Sequence, residues 1–200
     1  QKNAQKYFAK YNKQKRTFEA LSELIQETAD EIRYLESVSN SLDIALSEAD
    51  LGQIKEELTA SGYVRRKFTK KKVKLTNKPM HYISSDGYDI YVGKNNIQND
   101  ELTFSFANGG DWWFHAKGAP GSHVIVKTNG DELPDRTFEE AGRLAAYYSK
   151  NRGSDKVEID YIEKKHVKKP NGAKPGFVVY YTNYSLVIDS DISNIKVVQD

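Results

Sequence analysis

The densest set of reactive side chains is Asp111-Trp112-Trp113-Phe114-His115-Ala116-Lys117, followed by Gly118-Ala119-Pro120-Gly121-Ser122-His123. Successive side chains on a strand face opposite sides. Asp111, Trp113, His115 and Lys117 would therefore share one face, and Trp112, Phe114 and Ala116 the other. The second set has the composition of a core. The first combines a carboxylate, an aromatic plane, an imidazole and a cation, and such a surface can stack on a base and hold a phosphate. Asp111 could orient His115 through one ring nitrogen. The competing reading is structural, with Trp113 in the core and His115 tied up by its neighbours.

His115 and His123 are expected on adjacent strands, facing each other. Two histidines and a lysine can cleave RNA by acid–base chemistry, and His115, His123 and Asp111 are a conceivable metal set. No carboxylate-rich cluster supports a metal, and no P-loop, dinucleotide fingerprint or Gly-x-Ser-x-Gly elbow is present. The expectation is binding without catalysis, metal or cofactor. Two further segments offer phosphate contacts. Gly93-Lys94-Asn95-Asn96 presents donors at a turn, with Lys94 and Asn95 foremost; the alternative is a polar loop cap. The basic, turn-rich stretch 164–176 carries Lys164, Lys165, Lys168, Lys169 and Lys174; it fits a phosphate-binding loop or a solvated connection.

These residues need a scaffold, and the pattern from Tyr63 onward supplies one. His81–Ser84 and Tyr88–Val92 flank a turn at Ser85-Asp86-Gly87. Strands are expected at 112–116, 123–126 and 156–162, with a final hairpin of 177–181 and 185–188 around Asn183. Residues 138–150 read as a helix with Asp135 or Thr137 near its cap, and a shorter helix includes residues 97–104. The fold class is α+β: a long coiled-coil arm followed by a small, mainly antiparallel sheet domain with one or two helices. The expected divisions are 1–62 for the arm, 63–78 for a basic linker and 79–200 for the sheet domain.

The arm rests on spacing. Tyr7, Tyr11, Gln14, Phe18, Leu21, Ile25, Thr28, Ile32, Leu35, Ser39, Leu42 and Leu46 alternate at three and four residues, and nine of the twelve are apolar. No Pro or Gly interrupts residues 1–46, and such a helix would span about 60 to 70 Å. A shorter helix follows, with Asp50 as its expected cap and Gly62 at its stop. A seam this narrow must bury against another helix, so a partner is expected from an upstream segment or a second copy of the chain. The absence of an initiator Met is read as the mark of a fragment.

Charge is segregated although the 200-residue chain is nearly neutral at +2. Residues 1–16 hold six bases (Lys2, Lys6, Lys10, Lys13, Lys15 and Arg16) and no acid, whereas 19–60 hold eleven acids and two bases. Residues 65–78 hold eight bases and no acid. Separate basic clusters point to polyanion contact at defined places, with a basic arm tip reaching into it; solvated surface is the plain alternative. No Cys is present, so disulfides and thiolate metal sites are excluded. No apolar run is long enough for a membrane-spanning helix.

Several motifs occur together and in order: Tyr91-Val92-Gly93-Lys94-Asn95-Asn96, Asn99-Asp100-x-Leu102-Thr103, Asp111-x-Trp113-Phe114-His115-x-Lys117, Pro120-Gly121-Ser122-His123-Val124 and Lys168-Lys169-Pro170-x-Gly172-Ala173-Lys174-Pro175-Gly176. This set resembles the C-terminal RNA-binding-type module of the NFACT family, and the helices ending near Gly62 resemble the second half of that family's middle coiled coil. The resemblance implies a cytoplasmic ribosome-associated quality-control factor. Such a factor binds large ribosomal subunits carrying stalled peptidyl-tRNA and recruits alanyl-tRNA for C-terminal alanine tailing. It implies rRNA, tRNA and the large subunit as partners. The candidate nucleic-acid contacts are Lys94, Asn95, Asp111, Trp113, His115, Lys117, Ser122, His123, Lys168, Lys169 and Lys174. A basic tip of Lys6, Lys10, Lys13, Lys15 and Arg16 completes the set. This segment would supply docking rather than tailing. The alternative that the family also offers is a fibronectin-binding adhesin domain, with cell-surface display lacking an anchor.

Overall fold

The computed structural model describes residues 2–65 and 77–198. Most of the basic run 65–78 therefore lies outside the described residues. Two compact units divide between Glu36 and Ser37.

In the first unit the described residues, 2–36, are all helical, as part of α1 (Lys2–Ile44). The absence of Pro and Gly removes the two residues that break a helix interior. The seam residues Tyr7, Tyr11, Phe18, Leu21, Ile25, Ile32 and Leu35 are all exposed, Tyr7 at 68% and Phe18 at 72%. The helix therefore forms with its apolar stripe uncovered among the described residues.

The second unit contains the end of α1, then α2 (Glu48–Ala60). The expected cap, Asp50, is instead the third helical residue of a capping box, and Ser47 is the N-cap. The Ser47 hydroxyl accepts from the Asp50 amide at 3.2 Å, and the Asp50 carboxylate accepts from the Ser47 amide at 2.9 Å. Gly62 follows the helix with φ +84°, a conformation that favours glycine.

The strands are β1 (Met80–Ile83), β2 (Asp89–Val92), β3 (Trp112–Ala116), β4 (Val124–Val126), β5 (Val157–Glu163), β6 (Tyr184–Ile188) and β7 (Lys196–Val197). They form one sheet in the order β6-β5-β3-β4-β2-β1-β7, and every pairing is antiparallel. The helices are α3 (Asn96–Glu101), continued by a π-helical turn over Leu102–Phe106, and α4 (Asp135–Tyr147). This confirms the α+β class.

Both faces of the sheet centre are covered. On one face Ile90, Val92, Phe114, Ala116, Val124, Val126 and Ile159 pack with Ala141, Leu144 and Ala145 of α4. On the other, Trp113, Ile125 and Ile162 pack with Leu102, Ala107 and Val167. Strands buried on both sides lose the polar alternation of a one-sided sheet.

The expected final hairpin does not form. Residues 177–181 are not a strand; Val179 instead exchanges backbone hydrogen bonds of 2.8 and 2.9 Å with Lys168, closing the Pro- and Gly-rich loop on itself. β6 takes β5 as its partner, from Tyr161↔Tyr184 to Val157↔Ile188. β7 pairs with β1 through two residues, too short a run to leave a sequence signal.

Candidate nucleic-acid interface

The strand patch singled out by composition is mostly interior. The faces alternate as expected, with Trp112, Phe114 and Ala116 toward α4. The Trp113 face is not open, however: Trp113 is 0% exposed, because the π-helical turn and the 167–180 segment cover it. It is a core residue and offers no stacking surface. Its ring is 5.6 Å from His115 and nearly parallel, 5.1 Å from His123 and edge-on, and 5.0 Å from Tyr180. His115 and His123 do face each other, at 5.6 Å and perpendicular.

The His123 Nδ1 lies 2.8 Å from the Thr103 hydroxyl, and its amide donates to Asn99 Oδ1 at 3.0 Å. Burial pushes His115 down to about 4, against smaller opposing effects from Gly121, Asp160 and Ala116. Burial, with His115 beside it, also holds His123 well below the ordinary imidazole range. Both rings are therefore neutral near pH 7.

Asp111 does not orient His115. It accepts from the amides of Asn108 at 2.7 Å and Thr128 at 3.1 Å, and it pairs with the Lys127 ammonium. It thus fixes the start of β3, and the conceivable set of His115, His123 and Asp111 does not converge. Among the described residues no three His, Cys, Asp or Glu side chains form a metal site. Ser122 is buried as well, and its hydroxyl and the Trp113 indole N–H have no partner among the described residues. Lys117 is exposed and pairs with Glu158.

Lys94 and Asn95 belong to a joint rather than an open phosphate loop. The Lys94 ammonium lies 3.3 Å from Asp50 and 3.2 Å from Asn77 Oδ1. Asn95 caps α3 by accepting from the Gln98 amide at 3.0 Å and donates to Gln53 at 2.8 Å. Asn96 donates to Glu57 and Ser37, each at 2.8 Å. Burial alone would raise the Asp50 carboxyl. Hydrogen bonds from Asn77, Ser47 and the Leu46 amide, with the Lys94 charge, bring it below its ordinary value instead. Gly93 is required here, since a Cβ would lie 2.2 Å from Asn99 Oδ1. The motif that looks like a donor-rich turn is the seat on which α2 rests.

In the 164–176 loop Lys168 is exposed, while Lys169 pairs with Asp100, whose carboxylate also accepts from the Gly176 amide at 3.1 Å. Lys174 is exposed, with its ammonium 3.2 Å from the Tyr63 hydroxyl. Lys164 sits 6.0 Å from the Phe104 ring centre. In the first unit Lys6, Lys10, Lys13, Lys15 and Arg16 are all exposed on α1.

A different surface has the geometry that the Trp113 face lacks. A cleft of about 410 Å³ is lined by Lys78, Pro79, His81, Tyr91, Gln98, Glu101, Leu102 and Phe106. His81 and Tyr91 are direct cross-strand partners on β1 and β2, stacked at 4.5 Å with 6° between their planes. Phe106 meets Tyr91 edge-on at 4.7 Å and is 44% exposed. The Lys127 ammonium stands 5.0 Å from the Phe106 centroid. Aromatic rings interleaved with cations are the surface that unpaired nucleic acid uses. The outward alternation of His81 and Tyr91 opposite the buried Tyr82 and Ile90 is legible in the sequence. Phe106 is not, because its position depends on the π-helical turn.

The described residues thus comprise a helical segment and an α+β module with an aromatic-lined cleft. Residues 1–77 match the family model for NFACT N-terminal and middle domains, and residues 78–182 match that for the NFACT protein RNA binding domain. The chain belongs to the NFACT family. It is 47% identical over 195 residues to the Rqc2 homolog RqcH of Streptococcus suis, covering 97% of this chain and 35% of that protein. Over 81 residues it is 37% identical to the ribosome quality control complex subunit NEMF of Homo sapiens, covering 40% of this chain and 7% of that one. The solved C-terminal region of the fibronectin/fibrinogen-binding protein FBPS from Streptococcus suis is 45% identical with a TM-score of 0.87, covering 97% of this chain and 78% of that one. The chain spans about a third of the length of the curated bacterial relatives it matches.

Proposed function

We propose that this chain is the RNA- and ribosome-docking part of a ribosome quality-control factor. Within the whole protein it holds the factor on large subunits that carry stalled peptidyl-tRNA, while alanyl-tRNA is recruited for C-terminal alanine tailing. Its contribution is contact rather than catalysis, and a cytoplasmic location goes with this role. The observation that carries the reading is the half-exposed Phe106 beside the stacked His81–Tyr91 pair, on a module that matches the family's RNA-binding domain. The basic residues 6–16 supply a second, charge-based contact, and the exposed seam of α1 pairs with an upstream helix or a second copy.

The test is co-sedimentation with large ribosomal subunits at two salt concentrations. Phosphate contacts release counterions, so affinity should fall steeply as salt rises. The likeness to FBPS favours a second reading, binding to fibronectin. Retention on immobilised fibronectin that persists at high salt, with no retention on ribosomal subunits, would select that reading instead.

A further inference from the structure

The cleft beside the π-helical turn holds residues that none of the family motifs above singles out, apart from Tyr91 and Leu102. We propose that it is a pocket for a single unpaired nucleobase, with guanine as the best fit. This rests on the RNA-binding reading and names the ligand of that surface.

Size and walls come first. A volume of about 410 Å³ falls within the range of sites that enclose one small ligand, and it cannot admit a duplex. One wall is Tyr91, whose ring is held between His81 at 4.5 Å and Phe106 at 4.7 Å. The aromatic surface is therefore built before any ligand arrives, and little side-chain ordering is left for binding to offset. Leu102 adds an apolar contact. Gln98 lines the cleft but is fully engaged. Its amide nitrogen donates to Gln53 at 2.8 Å and to the Asn77 carbonyl at 3.1 Å, and its oxygen accepts from the Lys94 amide at 3.1 Å. It is wall, not reader.

Among the described lining residues the carboxylate is Glu101, which is exposed and placed to read a base edge. An ionised carboxylate only accepts hydrogen bonds, through two oxygens. Guanine is the base whose Watson–Crick edge sets two donors side by side, the N1–H and the N2 amino group. Adenine and cytosine offer one amino group there, and uracil one imino. A base already paired in a helix has that edge occupied, so the ligand must be looped out or single-stranded. Lys78 at the lining places a cation where a flanking phosphate would run.

The experiment is fluorescence anisotropy of the 200-residue chain with three labelled RNA hairpins. One is fully paired, one carries a single bulged guanosine and one a single bulged uridine. The bulged-guanosine hairpin should bind about tenfold more tightly than the paired one, the scale of one base–aromatic contact. Phe106→Ala should bring it to the paired level, with a thermal midpoint confirming the fold. Glu101→Gln should erase the preference for guanosine over uridine and keep that for a bulge. If Phe106→Ala fails to fold, Glu101→Gln and Lys78→Gln carry the test. Equal binding of all three hairpins, unchanged in these variants, overturns the pocket and leaves the RNA-binding reading standing. Equal preference for both bulges overturns the choice of guanine alone. No binding to any hairpin at low salt overturns pocket and reading together.

Discussion

Strand β3 and the β1–β2 hairpin each carry a histidine stacked on a larger aromatic ring, and the two pairs end in opposite environments. Trp113 and His115 lie 5.6 Å apart on a strand that is third in the sheet order, with neighbours on both edges and cover on both faces. His81 and Tyr91 lie 4.5 Å apart near the other end of the sheet and line an open cleft. Residue type suggests what a side chain can do. Position in the sheet decides whether a partner can reach it. The first pair is interior, and the second borders a cleft.

This contrast gives its largest effect in the core. Trp113→Ala should cost about 3–5 kcal/mol, as for other buried aromatics cut to Ala, whereas Phe106→Ala should cost about 1 kcal/mol or less because half of that ring is already in water. Urea denaturation of the two variants measures the difference; equal losses would erase the comparison.

Acid should strike the same interior pair next. His115 is held down to about 4, and His123 well below its ordinary value, both mainly by burial. Between about pH 6.5 and 4 the unfolded chain takes up protons that the folded rings refuse, so stability falls as pH falls through that window. Above about pH 6.5 this contribution is fully present. Unfolding midpoints between pH 7.5 and 4.5 read the slope, and a His115→Gln variant that still folds should show a shallower one.

For binding the order reverses. Phe106→Ala should lower affinity for a bulged RNA about tenfold, while a folded Trp113→Phe variant should leave it unchanged, as titrations of the two side by side would reveal. The smallest effect belongs to the arm. Replacing Lys6, Lys10 and Lys13 by Gln should reduce the salt slope of ribosome binding by about one for each phosphate that the arm no longer neutralises, with little change in stability.

Much of the fold is legible in the sequence. The helix 2–44 follows from an unbroken run, the β1–β2 hairpin from its turn residues, and α4 from one apolar face. The candidate site is less so. Trp113 and His115 form the most chemical-looking segment of the chain, and only the cover supplied by Leu102, Ala107 and Val167, far apart in sequence, turns it into core. Lys94 and Asn95 read as open donors because Asp50 and Gln53, their partners, lie some forty residues upstream. Phe106 is placed by a π-helical turn that leaves no periodic signal. The final strand is legible but its pairing is not, for a similar reason: β6 pairs with a strand more than twenty residues away, and Val179 with Lys168.

The central claim is that this chain docks on ribosomal RNA through the Tyr91–Phe106 surface. Its most direct test is the affinity of the chain for large ribosomal subunits at about 50 and 200 mM salt, measured for the unaltered chain and for Phe106→Ala. The account predicts a steep loss with salt and a further loss in the variant. Binding that ignores both salt and Phe106 would contradict it.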